Sequence, residues 1–202
     1  MAARLLAIFI LICAAGASAG RAAEPTPSEI VERLNAALID VMREAEALGF
    51  QGRYQRLAPV LSQSFDFPFM ARISAGGSWR AWDEPTRGRY AEAFTNMSIA
   101  TYAARFDGYG GERFEVLGEA PGRRKTILVR NHLVRSDGDA VAIDYLLKAT
   151  EGRWRVVDVY LDGKYSELAL KRSEYGAVIK NHGIAVLIQS LDEKAADLAA
   201  EN

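Results

Sequence analysis

The sequence is poor in the residues that carry most enzymatic and metal chemistry. It has one cysteine, Cys13, and two histidines, His132 and His182. Cys13 lies inside an N-terminal apolar run, so a chain cleaved behind that run holds no thiol. Disulfides, thiolate metal sites and thiol nucleophiles are then excluded. The histidines stand far apart and no H-E-x-x-H occurs, which excludes a zinc-protease site. They read as an exposed strand residue and as a helix C-terminal residue favoured by the helix dipole. No G-x-S-x-G is present, so there is no nucleophile elbow. Gly108-Tyr109-Gly110-Gly111 precedes a strand instead of opening a helix, which rules out a dinucleotide loop. Neither sign of charge dominates: 25 Lys and Arg face 26 Asp and Glu. A dedicated nucleic-acid binder carries a clear basic excess, so nucleic acid is not an expected partner. Six prolines and no biased tract exclude low-complexity scaffolding. No metal and no cofactor is implied.

What is present begins with a leader. Arg4 supplies a short positive region, Leu5 to Ile12 is unbroken apolar sequence, and Ala17-Ser18-Ala19 is an A-x-A cleavage site. Residues 1–19 read as a secretory signal peptide. The run is too short for a good membrane span, and Ile12 before Cys13 lacks the small side chain that lipidation needs. Residues 20–202 are then expected as one domain, exported and stabilised by apolar packing alone.

The apolar period divides that domain into helix, sheet and helix. Over 26–108 it is helical. Thr26, Pro27 and Glu29 form a start signal, and Ile30, Leu34, Leu38, Val41 and Ala45 fall on one face. Gly49 is expected to stop this helix. A short second helix follows around Tyr54, Leu57 and Leu61, and Asp66 caps a third that closes at Gly76-Gly77. Asp83-Glu84-Pro85 opens a long fourth, striped by Tyr90, Phe94, Met97, Thr101 and Tyr102. From Arg113 to Asp162 the period is two, with hairpin turns at Asp137-Gly138 and Glu151-Gly152, so the spacing predicts about four antiparallel strands. Helical spacing returns over 170–198. The fold class is α+β.

Three features invite a function. Arg123-Arg124-Lys125, with Arg130 and Arg135, is a basic cluster, either a solvated loop or a docking surface for an acidic partner or anionic lipid heads. Asp158, beside Tyr160, and Asp144 sit in strands, where a carboxyl acts either as a hydrogen-bonded structural acid or as the base of an isomerase-type pocket. Both faces of the central strands are apolar. Either helices cover both faces, or one face lines a cavity for an apolar ligand.

The order of motifs resembles a known family. Phe65-Asp66-Phe67-Pro68-Phe69-Met70-Ala71-Arg72 followed by Trp79-Arg80 is similar to the motif of the MlaC / toluene-tolerance family of periplasmic lipid shuttles. The resemblance continues through Ala93-Phe94, Thr101-Tyr102-Ala103, Asp144-Tyr145 and Trp154-Arg155-Val156-Val157-Asp158-Val159. It ends with Ser173-Glu174-Tyr175 and Gly183-Ile184-Ala185-Val186-Leu187-Ile188. Asp162-Gly163-Lys164-Tyr165-Ser166-Glu167-Leu168-Ala169 departs from the common pattern and looks like the hopanoid-associated branch, HpnM. The resemblance implies an NTF2-like curved sheet closed by helices around an apolar pocket. It also implies a non-enzymatic carrier of phospholipid or hopanoid between a transporter at the inner membrane and an outer-membrane acceptor. The residues expected to line that pocket are Phe94, Met97 and Tyr102 from the long helix and Val129, Leu133, Tyr145, Leu147, Val157 and Val159 from the sheet, with Ile184 and Leu187 closing its base. The alternatives are an NTF2-like isomerase or hydratase with Asp158 or Asp144 as base, and a periplasmic adaptor without a cavity.

Overall fold

The computed structural model describes residues 24–201. The expected signal peptide and its cleavage site lie outside the described residues.

Four helices come first: α1 (Pro27–Arg43), α2 (Ala45–Ser64), α3 (Phe67–Ala75) and α4 (Glu84–Arg105). A 3₁₀ turn, Gly76–Ala81, joins α3 to α4. Thr26 caps α1 as a full capping box: its hydroxyl accepts from the Glu29 amide at 3.3 Å, and its own amide donates to the Glu29 carboxylate at 2.7 Å. Ile30, Leu34, Leu38 and Val41 of α1 are buried. Asp66 and Asp83 cap α3 and α4 by accepting from the Phe69 and Thr86 amides. The second helix is longer than its apolar spacing predicts. The chain breaks at Glu44 and turns helical again at once, and Gly49 (φ 57°) kinks α2 instead of ending the helical run. The buried Arg53 guanidinium holds this turn, donating to the carbonyls of Ala45 at 3.2 Å and Ala103 at 2.8 Å.

The sheet has strands β1 (Arg113–Pro121), β2 (Thr126–Val134), β3 (Ala140–Thr150), β4 (Arg153–Leu161) and β5 (Tyr165–Ser166), paired in sequence order. All pairs are antiparallel. The four long strands are those the period predicts. The fifth is too short to show a period and exists because the turn at Asp162-Gly163 folds Ser166 back onto Tyr160. Two helices follow, α5 (Glu167–His182) and α6 (Ile184–Glu201). The C-terminal helices thus start before residue 170, because the Ser166 hydroxyl caps α5 through the Ala169 amide at 2.9 Å, and α6 runs beyond 198 to Glu201.

The sheet is one-sided. Val129, Tyr145 and Val159 stand in register across β2, β3 and β4, and all three belong to the core that the helices complete. On the opposite face Leu128, His132, Leu146 and Tyr160 are half-buried and Arg130 is exposed, while Val134, Asp144 and Asp158 are buried there at single positions. Two irregularities bend the sheet, one between Val116 and Gly118 and one beside Leu146 and Leu147. The second inserts Val157 as an extra residue: Leu147 pairs with Val156 and Leu146 with Asp158. The alternation in β4 therefore changes phase. Val156 faces the core before the bulge, and Val159 and Leu161 face it after.

Candidate functional site

The cavity forms where the core-side face of the sheet meets α3, α4 and the start of α5, and its volume is about 230 Å³. Leu133, Ile143, Tyr145, Val159 and Leu161 are its sheet wall. Opposite, α4 presents Ser98, Thr101, Tyr102 and Arg105, and its C-cap adds Phe106. These positions follow the 3–4 spacing of one helix face. The motif around Asp66 supplies Phe65, Phe67 and Met70. Asp66 is locked into capping α3, and its amide donates to the Val156 carbonyl at 2.9 Å, which holds the motif against β4.

The lining is strongly aromatic. Phe65 stacks on Phe67, with centroids 5.2 Å apart, and meets Tyr102 and Tyr145 edge-on at 5.7 and 6.3 Å. Tyr102 stacks on Phe106 at 5.7 Å. Tyr102 and Tyr145 meet inside this apolar lining, and burial pushes both phenols well above their ordinary range. They are neutral at any physiological pH. Charge occurs only in Arg105, Glu167 and Lys171. Arg105 is exposed, and Glu167 and Lys171 are half-buried on one face of α5. Burial pushes the Lys171 ammonium down, while the Glu167 carboxylate acts the other way.

Of the residues singled out from sequence, Tyr102, Leu133, Tyr145 and Val159 border this cavity. The rest lie elsewhere. Phe94 is fully buried between Tyr90 and Tyr175, in edge contacts at 6.3 and 6.4 Å. Met97 is buried in the same core and accepts from the Thr101 hydroxyl at 3.2 Å. Val129 and Leu147 are closed off in the sheet core, Leu187 is buried on the inner face of α6, and Ile184 packs against that core. Val157 is the buried bulge residue. The division in α4 is by face as well as by length: its first half packs into the closed core, and in its last two turns Ile99, Ala100 and Ala103 stay buried while Ser98, Thr101, Tyr102 and Arg105 face the cavity. The Phe65–Met70 motif was legible as a family motif but not as lining, since a helix cap interrupts its period.

Neither strand carboxyl borders the cavity. Asp158 accepts from the Val159 amide at 2.8 Å, the Ser166 hydroxyl at 2.6 Å and the Leu168 amide at 3.0 Å. It is the clasp between β4 and the start of α5. Asp144 accepts from the Asn131 amide at 3.0 Å. The cluster Arg123-Arg124-Lys125 is a 3₁₀ turn in the β1–β2 hairpin. Among the described residues no group of His, Cys, Asp and Glu is placed to hold a metal ion. Among the same residues no helix is long and apolar enough to cross a membrane.

These features define a class: an α+β fold, helices on one side of an antiparallel meander, built around an apolar cavity with charge at one edge. The family profile described as MlaC protein matches residues 32–193, and the chain belongs to that family. Among solved structures, the fold matches a phospholipid-binding protein from Ralstonia solanacearum in complex with a phospholipid. The TM-score is 0.72 at 21% sequence identity, over 85% of this chain and 96% of that one. No match was found among curated proteins.

Proposed function

We propose that this protein is a periplasmic carrier that holds the acyl part of a lipid in the cavity and moves it, chemically unchanged, between a membrane-embedded transporter at the inner membrane and an outer-membrane acceptor. The observation that carries the reading is the cavity: aromatic and aliphatic walls, with Arg105, Glu167 and Lys171 as its charged residues. Each buried methylene is worth roughly 0.8 kcal/mol, so a tail of about sixteen carbons resists release to water by on the order of 12 kcal/mol. Such a tail needs a shielded path, and it leaves fast only to a competing apolar site. Arg105 and Lys171 supply two cations against one carboxylate, which suits a phosphate-bearing head and favours phospholipid over hopanoid. Family membership and the fold shared with a phospholipid-bound protein support the same ligand class. A cavity of about 230 Å³ is below the roughly 300–1,000 Å³ of ordinary small-molecule pockets, so the walls must part to admit two chains. Asp158 and Asp144, the bases of the isomerase reading, do not border the cavity, and Asp158 is committed to three donors, which supports the carrier reading over that one.

Native mass spectrometry of protein purified without detergent tests this. The expected result is a retained phospholipid, lost from a Tyr145→Ala, Val159→Trp double variant that still folds. A protein that emerges empty and takes up no lipid from vesicles sinks the proposal.

A further inference from the structure

A second concavity lies beside α3. It shares no lining residue with the cavity. Its volume is about 650 Å³, and its walls carry Arg72, Arg80, Arg87 and Arg172, with Ile73 and Trp79 as apolar surface. No acidic residue lines it. Among the described residues none of the four arginines enters a salt bridge. Asp83 feels the Arg87 charge, but its carboxylate is taken up capping α4. The chain spends structure on keeping these cations in place. Arg87 donates to the Trp79 carbonyl at 2.9 Å and the Arg80 carbonyl at 3.2 Å and lies over the Trp79 ring at 5.8 Å. Arg72 lies over the Phe69 ring at 5.2 Å. Arg172 comes over Gly76, where an added Cβ would sit 3.6 Å from its Nε, and the left-handed φ of 61° at Gly76 turns the chain there.

We propose that this groove docks an acidic, extended segment of a partner protein, whose carboxylates pair with the guanidinium groups of Arg72, Arg80 and Arg172, beside the backbone-anchored Arg87, while an apolar side chain rests on Trp79. Four like charges without a counter-ion repel one another, and an anionic occupant relieves that repulsion. Arginine takes carboxylates in paired hydrogen bonds, so it suits such a segment better than lysine. The arginines are anchored at separate points on α3, the 3₁₀ turn, α4 and α5, which fits several spaced carboxylates and not one converged phosphate. A membrane surface meets protruding cations and inserts apolar side chains beside them. Here the cations line a hollow, and none of the exposed large apolar residues, Tyr109, Leu117, Tyr165, Leu170 and Val186, borders it.

The test uses the whole secreted chain and a labelled decapeptide of glutamate and alanine with a central leucine, beside its glutamine counterpart. The glutamate peptide is expected to bind, weakening steeply as salt rises, and the glutamine peptide is not. Arg80→Gln and Arg172→Gln are each expected to weaken binding about fivefold, and Arg123→Gln, in the β1–β2 turn, to leave it unchanged. Amide shifts in the wild type are expected at Gly76, Gly77 and Trp79, a readout that survives any folding defect in the variants. Equal binding of both peptides, indifference to Arg80 and Arg172, or shifts confined to other surfaces would overturn the proposal. So would occupation of the groove by inorganic phosphate or by anionic phospholipid vesicles in place of the peptide. Lipid content is measured in parallel, so an empty cavity and an empty groove are separate failures.

Discussion

Asp158 shows how one residue type serves different ends according to its partners. Its carboxylate joins the end of β4 to the start of α5 through Ser166 and Leu168. An asparagine has one carbonyl oxygen and cannot serve all three donors. Asp158→Asn is expected to lose about 1–2 kcal/mol of stability, read from urea unfolding, while lipid transfer persists. Burial pushes this carboxyl above its ordinary value, and the hydrogen bonds pull the other way. The folded protein therefore binds the proton more tightly than the unfolded chain. Its contribution to stability falls as pH rises from about 4 through the raised value. The lead of wild type over Asp158→Asn should narrow across that window, and a lead that widens would contradict the sign. Val159 and Val129 form a second contrast, since they share a row of the sheet but only Val159 borders empty space. Val129→Trp is expected to overpack and cost about 1–3 kcal/mol or more. Val159→Trp should fill the cavity with a smaller loss and carry less lipid. Melting curves of delipidated protein, beside retained lipid by mass spectrometry, decide between the two outcomes.

At the scale of elements, α4 and α5 position the site. Helix α4 divides its surface between the closed core and the cavity, and its start is tied to α6 by the Arg89–Asp192 ion pair. Both partners are largely exposed, so this pair adds little stability. Helix α5 carries Glu167 and Lys171 to the cavity from a first turn whose only side-chain cap is Ser166. Ser166→Ala removes that cap and one donor to Asp158. The expected cost is about 1–2 kcal/mol, and amide exchange should quicken over Leu168–Lys171 while β2 and β3 stay protected. Uniform quickening across the molecule would mean that α5 opens only with the whole fold. The helix starts at Thr26, Asp66 and Asp83 and the turns at Asp137-Gly138 and Glu151-Gly152 were legible, because caps and tight turns act within a few residues. The length of α2 was not, since it depends on the Arg53 bonds to Ala45 and to distant Ala103.

For the whole molecule, bound lipid and stability are linked. A ligand at a hundred times its dissociation constant adds about 2.7 kcal/mol to the native state. Protein as purified should melt higher than protein stripped of lipid, and the difference should return on reloading from phospholipid vesicles. Equal melting points with lipid demonstrably bound would place the lipid outside the folded core. The A-x-A site predicts a mature chain that begins at or within a few residues of Gly20, which intact mass measures directly, and that is recovered in the periplasmic fraction.

The sequence by itself determined the α+β class, the caps, the hairpins and that Val129 with Leu133, and Tyr145 with Leu147, share one face of their strands, because periodicity and capping are local. Only tertiary structure decided which of those positions meet empty space. The bulge at Val157 changes the phase of β4, so a constant alternation read along Trp154, Val156, Asp158 and Tyr160 fails halfway. Whether an apolar helix face meets another element or a hollow depends on how elements far apart in the chain come together. Phe94 met Tyr175, and Tyr102 met Tyr145 across a cavity. The arginines of the groove carry no mutual signal in sequence, since α3, α4 and α5 come together only in the folded chain.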